Sequence, residues 1–258
     1  MSFGKKAINE ALLAIQNKDA FKILKNGSKL ISSSGISFVI HYYNDFYIQH
    51  SNPNNKRKKK EPLLPPYEPH VFLEETKTHY IVLNKYMFLP GHILMSGRSI
   101  NDRQGERLKS GDFDALSRVF HGFNNQGIGY YNCGINAGCT EPHKHLQYIP
   151  SNIAPMLDAI IFEKKVPFIC YSTKLDNYDS INLQKAYESL MYKANFKGDY
   201  NFIVHNNFAF LFPRRKRSHF GMIVNSPGIC GHYCLFPDSN RKIEECPLEV
   251  LSQVCISN

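Results

Sequence analysis

Apolar positions in the first hundred residues change from a helical spacing to the spacing of strands. Over residues 5–25 they recur every three or four positions, which predicts an amphipathic helix with a break near Asp19. The β-branched and aromatic run GISFVIHYYNDFYI then predicts a strand or a hairpin. Two shorter apolar runs, HYIVLN (79–84) and HILMSG (92–97), are joined by a link that contains Pro90-Gly91, and they predict a pair of strands.

The remaining pattern alternates predicted helices and strands in a mixed order. Helices are predicted near 112–120, near 181–196 and in PLEVLSQVCIS at the end of the chain. Strands are predicted near 166–172, 201–205, 208–212 and 219–224. Strand pairs with short turns and helices between them predict an α+β fold, a mixed and largely antiparallel sheet flanked by helices. We expect residues 1–258 to form a single domain with a loop insertion near 51–62.

Composition favours a globular protein of the cell interior. The 258 residues can bury a sizeable core, and 43% of them are hydrophobic. The sequence contains no run of eighteen apolar residues, so we expect no transmembrane helix and no membrane partner. Seven cysteines at irregular spacings fit reduced thiols better than a disulfide framework, which predicts a cytoplasmic location.

The net charge of +9 favours anionic partners, but the basic residues are unevenly distributed. Five of them form the run Lys56-Arg57-Lys58-Lys59-Lys60 within the predicted insertion. A solvated loop is the simplest interpretation, and a nuclear-localisation signal or a nucleic-acid patch is the alternative. The run lacks the interleaved aromatic residues on which a single-strand binder stacks bases. Nucleic acid is therefore not the expected partner, although access to the nucleus would follow from the second interpretation.

The stretch GCTEPHKHLQYIP (138–150) carries the side chains best suited to chemistry. As a strand it would place His143, His145 and Gln147 on one face and direct Leu146 and Tyr148 into a core. A loop with two glycines, NCGINAGCTEP, precedes this strand, and its backbone N–H groups could approach an anion closely. The arrangement is suited to phosphate chemistry.

Spacing alone leaves three interpretations of this stretch open: a polar strand face, a metal site, or a nucleophile with supporting groups. Two histidines two apart on a strand can bind zinc, but Cys230, His232 and Cys234 do not complete a four-ligand set. A neutral imidazole can instead attack phosphorus and form a covalent nucleotidyl-histidine. Its other ring nitrogen should then donate to a backbone carbonyl, and the glutamine amide should donate to phosphate oxygens.

The sequence resembles a known family over most of residues 20–257. HKHLQ with YNCGINAGCTEP before it is similar to the HxHxQ signature of the transferase branch of the histidine-triad superfamily. More closely, the chain resembles the fungal-type diadenosine tetraphosphate (AppppA, or Ap4A) phosphorylases, also called ATP adenylyltransferases. The segments EPLLPPYEPHVFLEETKTHYIVLNKYMFLPGHILM, YNFIVHNNFAFLFPRRK and IVNSPGICGHYCLF…CPLEVLSQV match family segments in the same order. This resemblance implies a histidine-triad-like fold.

The resemblance also implies a reaction and its residues. Family members cleave Ap4A with inorganic phosphate to ATP and ADP, reversibly, with AMP carried on the second histidine of HxHxQ, here His145. His143 and Gln147 complete the implied catalytic set. The implied substrate contacts are Asn84, Lys85, Asn132, Gly138, Cys139, Thr140, Glu141, Gln147, His205, Asn206, Asn207, Phe212 and Lys216. The implied partners are a dinucleoside polyphosphate, ATP, ADP and phosphate, with a divalent cation (Mg²⁺ or Mn²⁺) on the polyphosphate and no organic cofactor.

The sequence departs from the family in the phosphate loop. Cys139-Thr140-Glu141 stands where relatives have small hydroxylic residues, and it puts a carboxylate beside the phosphates. Two related enzymes are the alternatives: a hexose-phosphate uridylyltransferase, which usually shows HPHxQ where this chain has Lys144, and a dinucleotide hydrolase, which usually has a third histidine at Gln147. Oligomeric state is not predicted from the sequence.

Overall fold

The structure, a computed structural model, describes residues 2–17, 21–22, 25–43, 62–87 and 89–258. The basic run at 56–60, residues 51–61 of the predicted insertion and the predicted break near Asp19 lie outside these residues, so they stay predictions. Within the described ranges, no helix is both long and apolar enough to span a membrane.

The described helices lie largely where the periodicity predicts them. They are α1 (Phe3–Gln16), α2 (Ser110–Gly122), α3 (Pro155–Ile161), α4 (Ser180–Ala194), α5 (Ser226–Ile229), α6 (Lys242–Glu245) and α7 (Pro247–Val254), with a 3-10 turn at Ile135–Ala137. Pro155 and Pro247 begin α3 and α7, where a proline needs no backbone N–H donor.

The described strands overlap every predicted strand region, but the strand predicted near 166–172 begins only at Tyr171, and residues 44–48 of the run GISFVIHYYNDFYI lie outside the described residues. They are β1 (Phe21–Lys22), β2 (Lys25–Ser33), β3 (Ile36–Tyr43), β4 (Phe72–Glu75), β5 (His79–Leu83), β6 (Tyr86–Met87), β7 (Ile93–Gly97), β8 (Ile128–Cys133), β9 (His145–Ile149), β10 (Tyr171–Lys174), β11 (Tyr200–His205), β12 (Phe208–Pro213), β13 (Ser218–His219), β14 (Met222–Ile223) and β15 (His232–Leu235). The stretch predicted as one strand at 219–224 is instead a tight hairpin of β13 and β14. The reason is its turn, where Phe220 and Gly221 both have positive φ.

An eight-stranded antiparallel sheet organises the molecule, in the order β10-β12-β11-β8-β9-β7-β5-β4. A smaller sheet, β15-β3-β2, joins β15 to β3 in parallel and β2 to β3 in antiparallel. The mixed, largely antiparallel sheet with flanking helices confirms the predicted α+β class. Whether the whole chain is a single domain stays a prediction.

The large sheet has a separate hydrophobic core on each face. On β11, Phe202 and Val204 pack into the core that contains residues of α1, α2 and α4, and Ile203 packs into the core that contains residues of β3, α3 and α7. On β9, Leu146 and Tyr148 belong to the first core, as predicted. His145 and Gln147 therefore lie on the opposite face.

Helix α1 buries its small residues rather than its large ones. Leu12 and Leu13, which contributed to the predicted apolar pattern, are 53% and 39% exposed, and Ala7, Ala11 and Ala14 form the buried face. Alanine side chains allow close approach to the neighbouring elements, which include α2 and β4. The sequence thus predicts the helix but neither the face that it buries nor its end, since the helix stops at Gln16, Phe21–Lys22 form β1 and Lys25 begins β2.

Candidate active site

Strand β9 begins at His145, one residue after the predicted start at Lys144, and His143 does not belong to it. His143 precedes the strand and forms an isolated bridge with Arg103, and its Nε2 donates to the carbonyl of Gly97 at 2.7 Å. His145 and Gln147 do share one face, with their Nε2 atoms 3.4 Å apart. The structure therefore brings two of the three predicted catalytic side chains together and places the third in a buried hydrogen bond.

Hydrogen bonding fixes the tautomer of His145. Its Nδ1 lies 2.9 Å from the carbonyl oxygen of His143, and a carbonyl can only accept, so Nδ1 carries the proton and Nε2 holds a lone pair. Burial lowers the pKa of His145 to about 4. The ring is neutral near pH 7 and presents Nε2 as a nucleophile. This is the arrangement predicted for histidine attack on phosphorus.

Two donors orient the amide of Gln147 toward that nucleophile. Its Oε1 accepts from the Tyr130 hydroxyl at 3.0 Å and from His92 Nε2 at 3.0 Å. With the oxygen held in this way, the NH₂ group faces His145 Nε2. The same N–H groups could donate to an oxygen of a phosphate bound next to the nucleophile.

His92, which is not among the site residues predicted from the sequence, belongs to this network. Its Nδ1 lies 3.4 Å from Asn84 Nδ2, and burial lowers the pKa of His92 to about 4, so the ring stays neutral and donates through Nε2. A directed chain of donors thus runs from Asn84 through His92 and Gln147 to His145. The sequence signal for His92 is its position directly before β7, but the pairing of β7 with β9 is not readable from a single sequence.

These side chains open into a cavity of about 560 Å³, a volume typical of small-molecule sites. The cavity is lined by polar side chains that include His145 and Gln147 and by apolar ones that include Val82, Leu83 and Leu94. Such a cavity can hold phosphates next to the polar side chains and a base and sugar against the apolar ones.

The loop before β9 forms part of the cavity wall through Gly138, Thr140 and Glu141. Gly138 has φ +83°, and a Cβ there would lie 2.5 Å from the carbonyl oxygen of Val224. Only glycine combines that backbone angle with so close an approach. The loop is consequently held against the segment that leads into α5, and three predicted substrate contacts reach the cavity.

The N–H groups of the two loop glycines themselves bond within the protein, and the binding of an anion by other N–H groups of the loop stays a prediction. The N–H of Gly134 donates to the carbonyl of Gln104 at 3.3 Å, and that of Gly138 donates to the carbonyl of Ile135 at 3.0 Å. The first bond joins the loop to Gln104, and the second belongs to the 3-10 turn at Ile135–Ala137.

The predicted pair Asn84 and Lys85 also reaches the cavity. Asn84 Oδ1 accepts from the N–H of Tyr86 at 2.9 Å, which orients the Nδ2 atom that faces His92. Lys85 forms an ion pair with Glu68 and keeps about a third of its side chain exposed. A phosphate that enters the cavity would compete with Glu68 for this ammonium group.

Asn132, another predicted substrate contact, is buried behind the cavity wall rather than in it. Its Oδ1 accepts from the Ser226 hydroxyl at 2.7 Å, the Ser226 N–H at 3.0 Å and Asn201 Nδ2 at 2.8 Å. These bonds fasten β8 to the start of α5. Asn132 therefore stabilises the wall of the cavity without lining it.

The C-terminal residues His205, Asn206 and Asn207 lie at the end of the sheet away from His145, and none of them is part of the cavity wall. Asn206 and Asn207 have φ +47° and +60° and form the two-residue turn between β11 and β12. In the pairing of strands this end aligns with Ile149, four residues along β9 from His145, which is about 13 Å. His205 Nε2 instead contacts Asp158 at 3.2 Å.

Three further predicted contacts are not part of the cavity wall. Phe212 is fully buried and packs with Phe168 and Phe210 in the second core. Lys216 Nζ lies 3.5 Å from Gln253 Oε1. Cys139 lies between two wall residues without being one, and burial raises the pKa of its thiol.

A metal site would require several ligand side chains close together. In the described part of the chain, no three or more His, Cys, Asp or Glu side chains are grouped so that they could hold a metal ion. His232 donates from Nε2 to the carbonyl of Ile153 at 2.7 Å, and its Nδ1 lies 2.9 Å from His41 Nε2. Both nitrogens of that ring are engaged in hydrogen bonds within the protein.

Comparison with known proteins places the chain in a family. The Ap4A phosphorylase N-terminal domain matches residues 3–167, and the ATP adenylyltransferase C-terminal domain matches residues 164–257. No curated protein sequence matches the chain.

Solved structures share the fold along the whole chain. Yeast Ap4A phosphorylase Apa2 superimposes with a TM-score of 0.81 at 18% sequence identity, and its complexes with Ap4A and with AMP give 0.79 at 19% and 0.80 at 21%. Each comparison covers 100% of this chain and 99% of the yeast chain. Because the two domain matches together span nearly the entire sequence, this chain belongs to the Ap4A phosphorylase (ATP adenylyltransferase) family.

Proposed function

We propose that the protein cleaves Ap4A by phosphorolysis in two displacements on His145. The observation that carries this proposal is the neutral His145 ring, with Nδ1–H bonded to the carbonyl of His143 and Nε2 beside Gln147 at the cavity. Family membership supplies the substrate, and the geometry supports the nucleophile.

In the first displacement, His145 Nε2 attacks the phosphorus next to one adenosine. The Nε2–P bond forms, the bond to the bridging oxygen breaks, and ATP leaves with that oxygen and its electron pair. Because Nδ1 keeps its proton, the adenylylated ring is positively charged, and the carbonyl of His143 stabilises that charge. A charged imidazolium is also a good leaving group for the second step.

In the second displacement, an oxygen of inorganic phosphate attacks the same phosphorus. The P–N bond breaks, its electron pair returns to Nε2, and ADP leaves. Gln147 Nε2 lies 3.4 Å from the reacting nitrogen, so its N–H groups can donate to the phosphoryl oxygens as charge develops on them. Lys85 supplies a positive charge at the cavity wall.

Product analysis with and without phosphate tests the proposed function. We expect ATP and ADP in equal amounts from Ap4A and turnover that requires added phosphate. A hydrolase would release ATP and AMP in phosphate-free buffer, and a uridylyltransferase would turn over only with a hexose phosphate and a uridylyl donor. Either of these outcomes contradicts the proposal.

A divalent cation, Mg²⁺ or Mn²⁺, is expected to accompany the tetraphosphate. Among the described residues of the cavity wall, Glu141 supplies the one carboxylate, and carboxylate oxygens suit both ions. E141Q should raise the Mg²⁺ concentration that gives half-maximal rate. An unchanged Mg²⁺ dependence would remove Glu141 from this role.

A further inference from the structure

The side chain of Gln104 lies between the two central strands of the large sheet. Strands β8 and β9 pair from Ile128 with Ile149 to Tyr130 with Gln147, and there their pairing ends. Both strands continue further, and the same register would bring Asn132 opposite His145. The ladder therefore stops just before the nucleophile.

The carboxamide of Gln104 takes the place of the missing backbone ladder. Its Oε1 accepts from the N–H of His145 at 2.7 Å, and its Nε2 donates to the carbonyl of His145 at 3.1 Å and to that of Asn132 at 3.0 Å. One side chain thus satisfies both main-chain groups of the nucleophile on this side. The same side chain also links the main chain of His145 to Asn132, where the loop that precedes β9 begins.

Gln104 is itself held rigidly. The residue is 2% exposed, its N–H donates to the carbonyl of Pro142 at 2.9 Å, and its own carbonyl accepts from the Tyr131 hydroxyl at 2.6 Å. On the other side of β9, Ser96 of β7 pairs with His145. The main chain of His145 is consequently fixed from both sides, by a strand and by an amide.

We propose that Gln104 is a positioning residue that sets the direction in which His145 Nε2 meets the phosphorus. The direction of the ring follows from the main chain of His145 and from the carbonyl of His143, two residues earlier. An uninterrupted ladder would need no buried amide, and the interruption falls at the nucleophile. This proposal rests on the proposed function, because it needs His145 to be the group that attacks.

The test replaces the amide and separates kcat from KM. Q104M keeps the length of the side chain but removes all three hydrogen bonds, so a misdirected nucleophile should lower kcat for Ap4A phosphorolysis by about 10²-fold. KM should stay within about three-fold, since the cavity wall is unchanged. In a single turnover without phosphate, the rate of ATP release should fall by the same factor as kcat.

Q104E adds a signature that a general loss of packing would not give. A buried carboxylic acid can accept from His145 N–H and donate one O–H to a carbonyl, but a carboxylate would repel both carbonyls. The activity of Q104E relative to the unaltered protein should therefore rise as the pH is lowered. If Q104M does not fold, the pH dependence of the activity of Q104E still tests the proposal.

Y187F is the matched control. The buried Tyr187 hydroxyl accepts from the N–H of Leu108 at 3.3 Å and lies 2.5 Å from the Tyr200 hydroxyl, and neither bond reaches Gln104 or His145. Thermal unfolding would show a loss of stability for Y187F, while its kcat should stay near that of the unaltered protein. If folded Q104M keeps kcat within about three-fold, or if Y187F loses as much, Gln104 has no positioning role. If the unaltered protein does not cleave Ap4A with phosphate, the proposed function has failed instead.

Discussion

At the scale of single residues, the site depends on keeping imidazole rings uncharged inside the protein. Burial lowers the pKa of both His145 and His92 to about 4, and each ring donates through one nitrogen only. A protonated His145 would have no lone pair, and a protonated His92 would repel Asn84 Nδ2. The lowered pKa values therefore serve both the nucleophile and the residue that orients Gln147.

The acid limb of the pH–rate profile should show this directly. We expect ATP release from Ap4A in a single turnover without phosphate to stay nearly constant down to about pH 5 and to fall as the pH approaches 4. Omitting phosphate removes its own titration from the measurement, and the internal phosphates of Ap4A carry no second ionisation. Loss of half the rate near pH 6.5, the ordinary pKa of histidine, would contradict a buried neutral nucleophile.

The same pKa values predict how stability changes with pH. Between about pH 4 and 6.5 the unfolded chain binds protons at His145 and His92 that the folded chain does not bind. The contribution of each ring to the free energy of unfolding is therefore fully present above pH 6.5 and is lost as the pH falls toward 4. Urea unfolding of H92N should show a shallower fall over this window than the unaltered protein, and an equally steep fall would contradict the assignment to His92.

Removing the two histidines of HxHxQ separately should separate their roles. H145A should lower phosphorolysis by roughly 10³-fold or more, because it deletes the attacking atom. H143A keeps the carbonyl that binds His145 Nδ1 and loses only the side-chain bond to Gly97, so its rate should fall far less. Steady-state rates on folded variants check this. If H145A keeps more than a few per cent of the rate, His145 is not the nucleophile.

The residue motif was readable from the sequence, but the orientation of its members was not. HKHLQ and the resemblance point to His145 and Gln147, and the structure puts both at the cavity. The sequence could not show that Gln147 is turned by His92 and Tyr130, since these residues reach it through strand pairing. It also could not show that Asn132 faces Ser226 rather than the cavity.

At the scale of elements, a buried ion pair fastens α2 to the start of β9. Lys144 Nζ donates to Asp112 Oδ2 at 2.8 Å and to the carbonyl of Arg107 at 2.9 Å, and His79 Nε2 lies 3.0 Å from Asp112 Oδ1. Burial alone would raise the pKa of Asp112, but the bond from His79 and the charge of Lys144 bring it below its ordinary value. The residue between the two histidines of the motif is therefore an internal anchor.

Breaking this pair should destabilise the fold strongly. K144M leaves the charge of Asp112 buried without its lysine partner, and the free energy of unfolding should fall by about 3–5 kcal/mol. The double variant K144M/D112N should lose less than the sum of the two single variants, since the charge is gone as well. Urea unfolding measures all three.

Lys109 provides the matched control for that experiment. It pairs with Glu106 at 3.1 Å near the start of the same helix, but its side chain is 68% exposed. K109M should unfold at nearly the same urea concentration as the unaltered protein. Equal losses in the free energy of unfolding for K144M and K109M would show that the buried ion pair stabilises the fold no more than the exposed one.

The positions of helices and strands were predictable where apolar periodicity decides them. They were less predictable where backbone geometry decides them. The strands at 79–84 and 92–97 and the helix at 181–196 lie within a few residues of the predictions. The hairpin of β13 and β14 was read as one strand, because the positive φ values at Phe220 and Gly221 leave no apolar signal.

At the scale of the whole molecule, antiparallel pairing brings distant segments into one site. The loop at 138–141, the pair Asn84 and Lys85, and the segment at 221–228 all contribute to the cavity wall around β9. The sequence predicted the fold class and the family, because alternating strands and ordered motifs extend along the chain. It could not predict which end of the sheet each turn reaches, and the Asn206-Asn207 turn, which the resemblance implies for the substrate, lies at the end away from His145.

Capture of the covalent intermediate tests whether His145 carries AMP during the reaction. The protein is incubated with Ap4A in phosphate-free buffer, and peptides are then analysed by mass spectrometry under conditions that preserve P–N bonds. We predict one equivalent of ATP per active site and AMP attached to the peptide that contains His145, with complete conversion of that AMP to ADP when phosphate is added. Phosphate-dependent turnover without any adduct, or an adduct on another residue, would show that AMP is not carried on His145.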